Sequence, residues 1–154
     1  MKKRKARLII ISRDTLLEAL QSEEAQGLFR DMAALSRRGH RILLTAPEPD
    51  RWVPTRKTVD GALDSQRDLT EKARTEGADI EGIYYVPRSL LTQDRNREGA
   101  LKDILARYAM KPDQATLISS SQPFLRAASR LDIDAIEVKG DDTRSLKKVL
   151  ASLG

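Results

Sequence analysis

The sequence predicts an α/β fold, a three-layer α/β/α sandwich built on a five-stranded, mainly parallel sheet. Two observations point there. Short apolar runs alternate along the chain with segments of helical periodicity, the pattern of successive βαβ units. The first run, Leu8-Ile9-Ile10-Ile11, is apolar at every position and stops abruptly at Ser12-Arg13-Asp14-Thr15. An unbroken run of this kind marks a central strand covered on both faces. Ligands of open parallel sheets sit beyond the carboxyl ends of the strands, so Ser12 to Thr15 is the first place to look for a site.

After Asp14, Leu16, Leu17, Leu20, Leu28, Met32 and Leu35 recur at helical spacing up to Arg37-Arg38-Gly39, a basic last turn followed by glycine. Part of Gln21 to Gln26 reads equally as loop. Arg41 to Thr45 is a second strand that ends in a hydroxyl. His40 stands just before it; the chain has no second histidine to share a metal, so it reads as a surface or turn residue. Ala46 to Thr58 is loop, with Pro47, Pro49 and Pro54 opposing regular structure. Its Arg51, Trp52 and Arg56 either meet an anionic ligand or fold back on the core, and Trp52-Val53-Pro54 is a candidate contact surface.

Val59 to Glu76 is a helix closed by Gly77, and Gly82 to Val86 a third strand ended by Pro87. Arg88 to Glu98 reads as polar loop. Gly99 to Met110 is a helix with Leu101, Ile104, Leu105 and Tyr108 on one face. Ala115 to Ile118 is a fourth strand tipped by Ser119-Ser120-Ser121, Pro123 to Leu131 a helix, Ala135 to Val138 a fifth strand, and Asp142 to Leu153 the closing helix.

Bulk composition narrows the function classes. At 154 residues the chain suits one domain, able to bury roughly two thirds of its unfolded surface. Hydrophobic residues at 40% and charged residues at 33% describe a globular rather than a disordered chain. There is no cysteine, which excludes disulfides, cysteine metal sites and a thiol nucleophile. No apolar run approaches a membrane span, and the run after the basic start is too short for an export signal, so a cytoplasmic location with no membrane contact is expected. Residues 1–6 are expected to form a flexible basic tail and residues 7–154 a single domain. The net charge of +5 owes much to Lys2, Lys3, Arg4, Lys5 and Arg7. Such a start either binds nucleic acid or acidic partners by counterion release or is simply solvated. Aromatic residues at 4% offer no stacking platform.

The strand tips Ser12-Arg13-Asp14, Thr45, Val86-Pro87-Arg88 and Ser119-Ser120, with the segment Ala78 to Pro87, resemble the haloacid dehalogenase (HAD) superfamily. Within it they are similar to the small capless phosphatases that act on histidinol phosphate and D,D-heptose 1,7-bisphosphate. Gly99-Ala100-Leu101 is similar to the helix start after the family's lysine loop. Ala127-Ala128 with Leu131-Asp132-Ile133 is similar to the helix and turn after its last acidic motif. The resemblance runs from about residue 7 to the end of the chain. It implies a Rossmann-like sheet of strand order 5-4-1-2-3 and no large cap domain.

It also implies an altered site. The family's first motif is Asp-x-Asp, because one carboxylate must attack phosphorus while the other donates a proton. Here Ser12 holds the first position, Asp14 the second, and Thr15 the place of the glycine that normally follows. Thr45 matches the hydroxyl that holds the phosphoryl group, and Arg95, or alternatively Arg97, matches the lysine. Ser120 and Phe124 stand where magnesium carboxylates would be. Val86 and Arg88 stand where a zinc-binding cysteine and histidine would be. The implied protein is catalytically degenerate: a non-hydrolysing binder of a small phosphorylated ligand or a protein partner, with Ser12, Thr45, Arg95, Ser119 and Ser120 as phosphate contacts and Asp14 as a vestige of catalysis. No metal site and no cofactor are expected; magnesium enters only if hydrolysis survives. The alternatives are an active phosphatase on a small phosphorylated metabolite, and a nucleic-acid-associated accessory protein working through the basic start. Plainer roles stay open for each residue: Asp14 as a helix cap, Ser119 to Ser121 as an ordinary strand-to-helix turn, Thr45 as a partner of strand-end backbone groups, and Arg95 as an exposed loop arginine.

Overall fold

The structure, a computed structural model, describes residues 7–21, 27–47, 69–86, 93–139 and 145–153. Its strands are β1 (Leu8–Ser12), β2 (Arg41–Pro47), β3 (Ile80–Val86), β4 (Ala115–Ser119) and β5 (Asp134–Glu137). They form one sheet of order β3-β2-β1-β4-β5 in which every pair is parallel, the expected order read from its other edge. The helices are α1 (Arg13–Leu20), α2 (Leu28–Arg37), α3 (residues 69–75), α4 (Gln93–Arg107), α5 (Gln122–Arg130) and α6 (Leu146–Leu153). No cap domain stands among the described residues.

Both faces of the sheet are covered, which is why β1 has no polar position before its tip. Ile9, Ile11, Ile42 and Leu44 pack with Leu16 of α1, Leu28 and Met32 of α2, Leu69 of α3 and Leu146 of α6. Leu8, Ile10, Leu43 and Leu117 turn the other way, onto Leu101, Ile104 and Leu105 of α4 and Phe124 and Leu125 of α5. Each such side chain contributes roughly 1.5–3 kcal/mol by leaving water. The chain winds outward from β1 to β2 and β3, then returns to place β4 on the opposite side of β1. The carboxyl ends of β1 and β4 are therefore the topological switch point, where this class of sheet binds ligands.

Several elements differ from the sequence reading. The helix expected to begin at Gly99 begins at Gln93. The residues before Gly99 are polar, but polarity without a proline or glycine does not oppose a helix. The helical pattern after Asp14 is two helices, with Gly27 at φ 84° immediately before α2. β2 runs on through Pro47, and β3 starts at Ile80, where its register against β2 shifts. Gly82 lies in that irregular stretch at φ 152°, a conformation that side chains disfavour. α6 begins later than Asp142 would have it: the Lys148 amide donates to Ser145 Oγ at 3.3 Å, a cap that sets the helix start. Of the helix expected over Val59 to Glu76, residues 69–75 are helical and 59–68 lie outside the described residues.

His40 is no surface residue. It is buried, and its Nδ1 accepts the Arg7 amide at 3.0 Å, joining the start of β1 to the turn before β2. Arg7 is likewise committed to the sheet: its Nε donates to Thr116 Oγ1 at 3.1 Å, and its guanidinium lies 4.0 Å from Asp134. Lys2, Lys3, Arg4 and Lys5, with Arg51, Trp52, Val53, Pro54, Arg56 and Arg88, lie outside the described residues. Among the described residues no helix is long and apolar enough to cross a membrane.

Candidate functional site

The strand ends carry a polar rung on the face covered by α4 and α5. Side chains alternate along a strand, and neighbours in parallel register share a face. Ser12 is in register with Thr45, Thr45 with Tyr84, and Ser119 with Glu137, while Ser12 Oγ bonds Ser119 Oγ directly. Above the apolar floor of Ile10, Leu43 and Leu117, the sheet thus ends in Tyr84, Thr45, Ser12, Ser119 and Glu137.

Hydroxyl groups tie this end together. Ser12 Oγ donates to Ser119 Oγ at 2.7 Å, and Ser119 Oγ also accepts the Ser121 amide at 3.0 Å. Thr15 Oγ1 accepts the Ser120 amide at 3.1 Å and stands 3.2 Å from Ser120 Oγ. The turn between β4 and α5 is thereby stitched to the first turn of α1. The amides of Ser120 and Ser121 are consequently spent within the protein, so phosphate contacts expected of this turn fall to its side chains. Two buried hydroxyls, Thr15 and Ser119, lie within reach of them, and buried N–H groups find partners.

The remaining groups are less satisfied. Ser12 occupies the N-cap of α1, but its side chain makes no cap bond; it turns to Ser119 instead. The first-turn amides of α1 therefore lack a side-chain cap. Thr45, one strand away, is 1% exposed, and its Oγ1 is buried with no hydrogen-bond partner. The plainer role for Thr45, satisfying strand-end backbone groups, is therefore not the one it plays. Burying an unpaired hydroxyl costs about 1–3 kcal/mol, a cost that a ligand oxygen would remove.

The charged candidates lie further out. β1 ends at Ser12, so Asp14 belongs to the first turn of α1 rather than to the strand tip or the cap. Its side chain is 67% exposed and lies 3.9 Å from Arg13 Nε, itself a buried atom without a hydrogen bond. Asp14 suits the positive end of the helix dipole. Arg95 is exposed in the first turn of α4, and no hydrogen bond joins it to the strand-end hydroxyls; Arg97 is half-buried. Phe124 is core, packed on the sheet where the resemblance would place a carboxylate, and Val86 is half-buried against the same cluster. The structure thus brings Ser12, Thr45, Ser119 and Ser120 together and leaves Asp14 and Arg95 at the margin.

Two residues that the sequence analysis gives no contact role belong beside the site. Thr15 holds the β4–α5 turn, as above. Tyr84 clamps β3 to α4: its hydroxyl donates to Asp103 Oδ2 at 2.5 Å, and Arg107 Nε donates to the same oxygen at 3.1 Å. The Arg107 guanidinium also lies 5.5 Å from the Tyr84 ring centre. Burial, and then the bond to Asp103, push the Tyr84 hydroxyl up to about 12. The Tyr84 hydrogen bond, helped by Arg107, holds the Asp103 carboxyl below its ordinary value. No local pattern announces this pair, because the residues are 19 positions apart on different elements.

No family model and no curated protein matches the sequence. The fold does have close matches among solved structures. D,D-heptose 1,7-bisphosphate phosphatase from B. bronchiseptica, solved with magnesium and phosphate, superposes with a TM-score of 0.72 at 17% identity, over 96% of this chain and 97% of that one. The corresponding phosphatase from Burkholderia thailandensis gives 0.57 at 16% identity, over 96% and 85%. A haloacid dehalogenase-like hydrolase from Streptococcus pneumoniae gives 0.54 at 11% identity, over 97% and 99%. The fold is HAD-like. At these identities the likeness is one of fold.

A HAD-like fold raises the matter of magnesium at these strand ends. Magnesium is held in near-octahedral geometry by one or two carboxylates with water and phosphate oxygens. The side chains at the ends of β1, β2 and β4 are hydroxyls, Glu137 stands beyond Ser119 on the edge strand, and Ser12 Oγ is already engaged with Ser119. Asp14, the carboxylate of that turn, faces solvent beside Arg13. Among the described residues no three of His, Cys, Asp and Glu come together as a metal-binding group. The described residues do not fit a magnesium ion.

Proposed function

We propose that this chain is a non-hydrolysing protein of HAD-like fold that binds a small phosphorylated ligand at the carboxyl ends of β1, β2 and β4. One observation carries the reading: Ser12 stands where the resemblance puts the attacking carboxylate, and its hydroxyl is bonded to another hydroxyl, Ser119. A serine attacks only when a base within hydrogen-bond reach takes its proton. Ser119 is no base, and Asp14 is turned to solvent beside Arg13. In a serine protease, loss of the nucleophile lowers turnover on the order of 10⁶-fold. Binding has more support. Thr45 Oγ1 lacks a partner, the start of α1 lacks a side-chain cap, and Arg95 lies at the same end of the sheet, as a helix that follows β3 must begin there. A helix start, hydroxyls and a guanidinium all favour a phosphate group.

A second reading, an active phosphatase on a small phosphorylated metabolite, is favoured by the sharing of the fold with D,D-heptose 1,7-bisphosphate phosphatase along nearly the whole chain. It requires Asp14 to act. Phosphate release from a panel of small phosphate esters in magnesium, measured for the natural chain and for Asp14→Asn, separates the two. The proposal expects no release above background from either protein. Magnesium-dependent release that disappears in Asp14→Asn would overturn it.

A further inference from the structure

We infer that this strand-end site takes its phosphate group as a metal-free anion. The inference rests on the ligand-binding reading above and deepens it by naming the charge state of what binds. A phosphate normally needs a cation where carboxylates surround it, because the carboxylates repel it. Here the surrounding side chains are neutral hydroxyls: Ser12, Thr45, Ser119 and Ser120. The carboxylate of Asp14 is 67% exposed, open to water and salt, and 3.9 Å from the Arg13 guanidinium, so its field is screened and offset. Glu137 lies at the sheet edge, with the whole of β4 between it and Ser12.

The remaining charge favours an anion directly. The uncapped start of α1 presents the positive end of the helix dipole, and the half-buried guanidinium of Arg13 sits in the same turn. Thr45 Oγ1, buried and unpartnered, is a donor waiting for an oxygen. A divalent cation placed among these groups would meet a helix start of like sign; of the described carboxylates nearby, Asp14 faces solvent and Glu137 stands beyond Ser119 on the edge strand. The ligand class is therefore orthophosphate, a phosphate monoester or another tetrahedral oxyanion, bound through hydroxyls and amides.

Isothermal titration of orthophosphate into the full chain, once in EDTA and once in magnesium chloride, tests this. The expected result is the same affinity in both buffers. Thr45→Val, which keeps the side-chain shape, is expected to weaken binding about tenfold or more, the worth of one hydrogen bond to a charged group. Ser12→Asp, which sets a carboxylate among the hydroxyls, is expected to lose binding in EDTA; circular dichroism confirms that both variants fold. Heat seen only in magnesium would overturn the metal-free inference and leave the ligand site standing. No heat in either buffer at millimolar phosphate would overturn the ligand site itself, and undiminished binding by Thr45→Val would overturn its placement.

Discussion

Thr45 concentrates the tension between stability and function. Its neighbours on β2 are buried apolar residues, and its own Oγ1 is buried without a partner. Replacing it with valine removes an unpaired polar atom at nearly constant volume. Thr45→Val is therefore expected to hold or raise stability, by up to about 1–3 kcal/mol, while weakening phosphate binding. The midpoint of denaturant unfolding checks the first part. A destabilised variant would mean that Thr45 Oγ1 has a partner after all. At this scale the sequence was informative about position and silent about partners. Ser12, Thr45 and Ser119 are legible because each follows an apolar run. The bond between Ser12 and Ser119 spans 107 positions, and which hydroxyls find each other over that distance is decided by strand order. In the sequence Thr15 stands at the place of the family's glycine; its service to the Ser120 amide appears only once α1 and β4 are side by side.

Among the elements, α4 departs furthest from the sequence reading and has most effect on the site. Starting at Gln93, it carries Arg95 and Arg97 in a helix rather than a loop, so their directions are set by helical geometry. The apolar face of α4 was legible from Leu101, Ile104 and Leu105; its first turns were not, because they bear no apolar residues to show a period. Tyr84 and Asp103 bind this helix to β3, and their titration gives a prediction with a definite sign. The Tyr84 hydroxyl ionises at about 12 in the folded chain against its ordinary 10.0. Between those values the unfolded chain has lost the proton and the folded chain keeps it. The contribution is thus intact below pH 10.0 and lost as pH rises toward about 12. The unfolding midpoint is expected to fall across that interval and to fall less in Tyr84→Phe. Equal slopes in the two proteins would show that burial and Asp103 do not hold the Tyr84 proton. Tyr108, raised by burial and by Glu81, adds a contribution of the same sign that the variant retains.

For the whole molecule, the parallel sheet and its order were legible from the alternation of runs and from the resemblance, and both stand in the structure. The central strand announces itself by being apolar on both faces, from Leu8 to Ile11. The end of the sheet proposed to bind follows from topology, since the strand order reverses between β1 and β4 and ligands of such sheets sit beyond the carboxyl ends at that point. What those strand ends can hold is a matter of chemistry, and there the HAD-like fold and the side chains point apart: the fold is shared with phosphatases, whereas hydroxyls stand at the ends of β1, β2 and β4. The most direct test is a two-dimensional amide spectrum of the nitrogen-15-labelled chain during titration with orthophosphate in EDTA. The account predicts shifts concentrated at Ser12 to Thr15, Thr45 and Ser119 to Ser121. Shifts confined to the basic start, or none at millimolar phosphate, would contradict it.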